Sequence, residues 1–263
     1  MNFLQIKGGI PGIEPEILFK VFGYPVASST LFIFFILVMF LVLGILFSKK
    51  LKMIPSGIQS VLEMIYEAIS DFISSIVGKD RADVVIPIIG SLFVYIGVSN
   101  LIGIIPGLTS ITFGGVSIFR VPTTDFNTTV GLAVASVLFL QIVSIMDFGV
   151  LGHFGKFFKF KELFLGFKKG IGPGLLSFID LFVGIIEFIG EFARIISLSF
   201  RLFGNMYAHE VLAVVIMGAL AYALPAVWSM MGLLVGVVQA LVFGSLIAVY
   251  YSLSIKTEGN HGH

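Results

Sequence analysis

Residues 29–47 read STLFIFFILVMFLVLGILF, nineteen positions in a row without a charged side chain. In an α-helix such a run is about 28 Å long, close to the ~30 Å hydrocarbon core of a bilayer. A chain crossing lipid must satisfy its own backbone N–H and C=O groups, so such a run is restricted to helix. Further long, predominantly apolar runs occur at 84–106, 128–149 and 227–254. Only 12% of the 263 residues are charged and 57% are hydrophobic, whereas a soluble domain carries about 25% charge. The pattern predicts an all-α, multi-pass membrane protein folded as one integral domain over 1–263.

The first 27 residues have no basic stretch leading directly into a short apolar core, so 28–48 is expected as a retained span after an outer segment, 1–27. Residues 57–77, GIQSVLEMIYEAISDFISSIV, are of another kind. Ser60, Glu63, Glu67, Ser70, Asp71 and Ser74 recur at three- and four-residue steps, opposite Ile58, Val61, Leu62, Ile65, Ile69, Phe72, Ile73 and Ile76. This spacing predicts an amphipathic helix lying at the membrane interface. The lysine-rich stretches 49–52 and 156–169 fall on one side if the first three spans alternate. The positive-inside rule makes that side cytoplasmic, with the N-terminus outside and, after five crossings, the C-terminus inside.

Residues 174–217 are the unusual part: no proline interrupts a helical pattern of about 66 Å, twice the hydrocarbon thickness. A single break would add a crossing and spoil the charge asymmetry, so one strongly tilted helix is expected, returning through a turn at 218–226 as a second long helix over 227–254. At about 100° per residue, Arg194, Glu187 and Asn205 lie within about 40° of Arg201, with Glu191 and His209 at about 80°. One polar stripe therefore winds along the helix, and Glu210 points roughly the other way.

Glu187, Glu191 and Arg194 stand at helical spacing and can pair among themselves. No acidic residue stands at that spacing from Arg201. A charge in mid-membrane costs about 2.5–3.5 kcal/mol on insertion scales, and a guanidinium cannot shed its proton. Its counter-charge is expected from elsewhere in the protein or from another subunit. A turn near 220–221 would bring Gln239 opposite Arg201 and Gly232 opposite His209. Gln239 is the only side-chain amide of the last span, and a buried amide needs partners.

The stretch EFARIISLSFRLFGNMYA (191–208), with SNLIGIIPG (99–107), PTTDFNTTVGLA (122–133) and VVQALVFGSLIAVYYSLS (237–254), resembles subunit a of the F-type ATP synthase, the membrane stator of its motor. The resemblance spans most of the chain and leaves out the N-terminal 30 residues and 150–170. It implies five membrane-embedded crossings plus one interfacial helix, the last two helices a long tilted hairpin against a ring of c subunits. It makes Arg201 the essential arginine facing the c-ring carboxylate. Asn205 and Gln239 match polar residues beside it, Glu210 and Asp125 belong to the outer side, and Glu187 to the inner half-channel. The commonest bacterial pattern has glycine at the position of His209 and histidine at that of Gly232, so here the imidazole has changed helices.

What the resemblance implies is ion translocation, expected to be of protons, coupled through the c-ring to ATP synthesis or hydrolysis in a bacterial inner membrane. The implied partners are the c-ring, peripheral-stalk b subunits, the soluble catalytic head and lipid, with no cofactor. The residues agree on what is absent. No cysteine is available for thiolate chemistry, a net charge of +1 gives no electrostatic case for nucleic acid, and no GxxxxGK[ST] loop cradles a phosphate. A self-contained secondary transporter would show paired repeats, and the sequence has none. A purely structural membrane subunit would leave Arg201 unexplained.

Overall fold

The computed structural model describes residues 12, 16–49, 51–55, 57–105, 112–113, 116–157, 164–165, 168, 170–219 and 224–259. Among them are six long helices: α1 (Ser28–Ser48), α2 (Ile58–Val77), α3 (Lys79–Gly103), α4 (Phe126–Phe157), α5 (Ile171–Ala219) and α6 (Leu224–Gly259). Four contain stretches long and apolar enough to cross a membrane: Ser28–Ser48, Lys79–Gly103, Phe126–Asp147 and Val227–Ser254. The chain is thus built as a helical membrane protein. The turn expected around 220–221, most of the N-terminal segment and most of the 156–169 lysine stretch lie outside the described residues.

Several details differ from the purely helical reading. Ile17–Val21 (β1) and Tyr24–Ala27 (β2) form an antiparallel hairpin, and Thr112–Phe113 (β3) pairs with Val116–Ser117 (β4). β-Branched and aromatic residues flank a Phe22-Gly23 turn in the first hairpin, a local preference that helical periodicity does not report. α3 begins at Lys79, five residues before the apolar run, with Asp80 in its first turn, where a carboxylate suits the positive helix end. α4 does not stop with its apolar run: Gly149 takes φ 77° and ψ 161°, and helix resumes to Phe157. A positive φ is open to glycine at little steric cost, so the backbone bends there.

α5 is 49 residues long, about 73 Å at helical rise. Gly190 and Gly204, glycines within it at which a break could form, are helical.

Two compact units emerge, one of residues 1–129 with 200–248, the other of 130–199 with 249–263. In the first, buried side chains come from α1 (Phe32, Ile36), α3 (Val85, Ile89, Ile96), α5 (Leu202, Met206) and α6 (Phe243, Ile247). Small residues let α3 and α6 approach. A Cβ added at Gly97 would sit 3.7 Å from the Ala240 Cβ, and one at Gly236 would sit 3.0 Å from the Asn100 Cβ. Such contacts hold membrane helices together by packing, because apolar burial gives no net drive where the surrounding lipid is equally apolar. In the second unit, Phe157 packs edge-on against Phe188, which packs edge-on against Phe192.

Gly236 is the tightest of the α3–α6 approaches and generates a prediction. Gly236→Val adds two methyl groups beyond a Cβ already at the contact limit, so α6 must move off α3 at a cost of about 1–3 kcal/mol. The expected result is a lowered melting temperature of the purified complex. An unchanged melting temperature would mean that this approach does not hold the two helices.

Candidate functional site

Arg201, Asn205 and His209 follow at four-residue steps on α5 and therefore share a helix face. Arg201 is half-buried, and Asn205 donates from Nδ2 to the Gln239 Oε1 of α6 at 2.7 Å. Gln239 is only 3% exposed, and its own Nε2 is buried without a hydrogen-bond partner among the described residues. That amide needs an acceptor, and an orphaned buried donor in a folded protein calls for an explanation.

One turn further, the His209 ring lies flat on Trp228, with centroids 5.1 Å apart and planes 8° apart. The Trp228 Nε1–H donates to the His209 carbonyl oxygen at 3.3 Å. Gly232 supplies the floor: a Cβ there would come within 2.8 Å of His209 Cε1 and closer still to Nε2. The imidazole thus fills the space a side chain at 232 would need. Asn205, His209, Trp228 and Gln239, with apolar neighbours such as Leu212 and Val238, line a cleft of about 420 Å³.

Glu210, next along α5, belongs to a different constellation. Its carboxylate lies within electrostatic reach of the Arg120 guanidinium and near the Thr124 hydroxyl, with Glu16 as a like charge nearby. Arg120 is 6% exposed and is further held by the Thr124 carbonyl at 3.3 Å and the Gly12 carbonyl at 2.9 Å. Asp125 is buried beside this group, where it accepts a hydrogen bond from the Ser29 hydroxyl and, through Oδ1, from the Asn127 N–H at 3.0 Å. Asn100 is buried as well. It accepts from Thr123 Oγ1 at 2.6 Å and donates to the Gly236 carbonyl at 3.4 Å.

In the second unit, Arg194 Nη1 meets Glu191 Oε1 at 2.6 Å, and its guanidinium lies over the Tyr250 ring at 5.0 Å. The other oxygen of Glu191 is buried without a hydrogen-bond partner among the described residues, and Glu187 is half-buried one turn before.

The structure therefore brings Asn205, His209 and Gln239 to one cleft and gives Glu210 and Asp125 separate polar surroundings. Gln239, expected opposite Arg201, has its amide bonded to Asn205, one helical turn further along. Arg120, Ser29 and Trp228 carry no signal of a site in the sequence, and Asn100 stands only within a stretch of family resemblance. Arg120 is visible there only as the single arginine of a loop, and nothing local to it signals that Glu210, ninety residues on, lies alongside. Among the described residues no group of three or more His, Asp or Glu side chains could hold a metal ion.

Apolar helices of spanning length, combined with carboxylates, an imidazole, amides and guanidinium groups on buried or half-buried helix faces, define a membrane protein built to handle ions. Comparison with known proteins is specific about which kind. The family model described as ATP synthase A chain matches residues 29–252, and the chain belongs to that family of non-catalytic, ion-translocating membrane subunits. It is 32% identical to the ATP synthase subunit a of Geotalea uraniireducens over 234 residues, 89% of this chain and 90% of that one. Against the ATP synthase subunit a of Syntrophobacter fumaroxidans the identity is 32% over 265 residues, covering 100% and 97%. The ATP synthase subunit a of Helicobacter pylori strain P12 is 32% identical over 226 residues, covering 86% and 88%.

The contact between His209 and Gly232 yields a double-mutant prediction. Gly232→Ala should impair ion-driven ATP synthesis by colliding with the imidazole. His209→Gly should impair it by removing a titratable group. Combining His209→Gly with Gly232→His should recover part of the loss, with a coupling of about 1–3 kcal/mol between the two positions. Strict additivity, in complexes that assemble normally, would mean that the two sites do not share a volume.

Proposed function

We propose that Arg201 is the fixed charge against which a c-ring carboxylate is discharged, and that the flanking polar groups form two offset half-channels for protons. The line of Arg201, Asn205 and His209 along one face of α5 carries this reading. Arg201 is half-buried one turn from Asn205, which is exposed and bonded to Gln239, so a carboxylate from another subunit can approach the guanidinium there. A cation within about 4–6 Å lowers a carboxylate's pKa, so the arriving acid releases its proton beside Arg201. The same permanent charge bars protons from running straight between the half-channels.

In this mechanism protons enter an outer path past Asp125, His209 and Glu210 and load the c-ring carboxylate. The ring turns through nearly a full circle, and the protons leave by an inner path at Glu187. The buried polar surroundings of Asp125 and Glu210 support the outer path, since hydrogen-bonded carboxyl groups in an apolar interior can hand a proton on. Each charge crossing 100 mV delivers about 2.3 kcal/mol, so several protons are needed per ATP.

The architecture goes with it: five crossings, α5 and α6 as a tilted hairpin against the c-ring, and α2 at the interface. The N-terminus faces outward and the C-terminus the cytoplasm of a bacterial inner membrane, with peripheral-stalk b subunits and the soluble head completing the machine.

Arg201 provides the test. Arg201→Ala is expected to abolish ATP synthesis in vesicles while the complex assembles, with passive proton leak persisting or rising because the barrier is gone. Arg201→Lys should also fail in synthesis but leak less, because it keeps a charge without the planar fork and can deprotonate when desolvated. Near-normal synthesis by Arg201→Ala would reduce the arginine to a structural role and sink the mechanism.

A further inference from the structure

The β1–β2 hairpin is apolar where a hairpin in water is not. Of its side chains only Lys20 is charged, while Ile17 is 53% exposed, Phe19 45%, Tyr24 78% and Phe22, at the tip, 99%. A solvated hairpin alternates apolar and polar residues so that one face meets water. This one presents aromatic rings on its exposed surface and, among the described residues, pairs with no third strand, a combination that invites association in water.

The turn itself is unusual. Phe22 has φ +47° and Gly23 φ +85°, the two positive values of a type I′ turn. Asparagine, aspartate or glycine normally takes the first of these positions, because a bulky side chain there is sterically strained. A phenylalanine held in that conformation with its ring 99% exposed calls for something beyond the described residues that rewards the ring.

The connection to α1 says what that is. β2 ends at Ala27 and α1 begins at Ser28, with no linker between them. The Ser28 N–H also donates to the Glu16 carbonyl at 3.0 Å, which ties the start of the hairpin to the start of the helix. α1 is 21 residues, about 32 Å, and matches the ~30 Å hydrocarbon core, so Ser28 stands at one of its edges. The headgroup layer beyond is only about 5–7 Å deep, whereas a four-residue strand reaches about 13 Å. An upright hairpin would carry Phe22 through that layer into water. A hairpin lying along it keeps the rings where aromatic side chains concentrate, and lets Lys20 reach phosphate while its stem stays in apolar surroundings.

We propose that residues 17–27 form a lipid-binding finger that lies in the headgroup layer, with Phe19, Phe22 and Tyr24 inserted toward the acyl chains, and so sets the depth of α1. The proposal rests on α1 crossing the membrane and is independent of the half-channel mechanism and of which side the hairpin faces.

The chain contains no cysteine, so Phe22→Cys gives this subunit a single nitroxide site. The whole complex is reconstituted in liposomes of phosphatidylcholine and phosphatidylglycerol, and the complex without the substitution, labelled in parallel, supplies the background to subtract. Collision with dissolved oxygen, which enriches in lipid, is compared with collision with a water-soluble nickel chelate. A second label at Leu37→Cys, mid-way along α1, marks the hydrocarbon interior. The expected oxygen-to-nickel ratio at Phe22 is several-fold above that of the free label in buffer and below that at Leu37. A ratio equal to that of the free label would place the tip in water and overturn the proposal. Low collision with both reagents would also overturn it, because the ring would then be covered by another subunit. If Phe22→Cys prevents assembly, Tyr24→Cys reads the same three outcomes.

Discussion

Glycine lacks the Cβ that otherwise keeps neighbouring helices apart, and the polar chemistry of the first unit depends on what that permits along α6. At Gly232 the missing Cβ makes room for the His209 imidazole. At Gly236 the backbone of α6 comes near enough for Asn100 to donate to its carbonyl, and at Gly244 the Phe93 ring of α3 closes in. Lipid gives helices no hydrophobic reason to associate, so contact area and a few interhelical hydrogen bonds must supply it. The same contacts that hold α6 against its neighbours also hold Gln239 within reach of Asn205. Packing and site are one arrangement.

The polar groups are distributed with a clear logic. Asp125, Arg120 and Asn100 are buried and well supplied with hydrogen bonds, as groups removed from water must be. Gln239 keeps a buried donor that nothing among the described residues satisfies, and Glu191 and Glu210 each keep one buried oxygen likewise. In a self-sufficient protein each would be a defect worth about 1–3 kcal/mol. A water molecule or a proton at each of these positions would complete the set.

Much of the helical class is legible in the order of residues alone, because apolar run length and backbone hydrogen-bond satisfaction act locally. The amphipathic 57–77 pattern and the unbroken 174–217 pattern can be read in the same way. The β1–β2 hairpin is not legible: ILFKVFGYPVA has no helical or strand period, and its short strands rest on pairing and a turn. The helical stretch after Gly149 is hidden because the residues there look like a lysine-rich connection. Facing pairs between α5 and α6 follow from an assumed turn, which brings His209 near Gly232 but does not reveal that Asn205 is bonded to Gln239.

The sequence by itself determined that this chain is a membrane-spanning helical protein of the ATP synthase A chain family, with a permanent cation on a long helix between apolar runs. Those properties follow from residue type and spacing along one strand of chain. Only the tertiary structure decided which other groups meet: His209 with Trp228, Asn205 with Gln239, Glu210 with Arg120, and Ser29 with Asp125. These partners lie nineteen to ninety-six residues apart. The physical reason is that hydrogen bonds and ring contacts act over a few ångströms, so distances along the chain carry no record of them until the helices have packed.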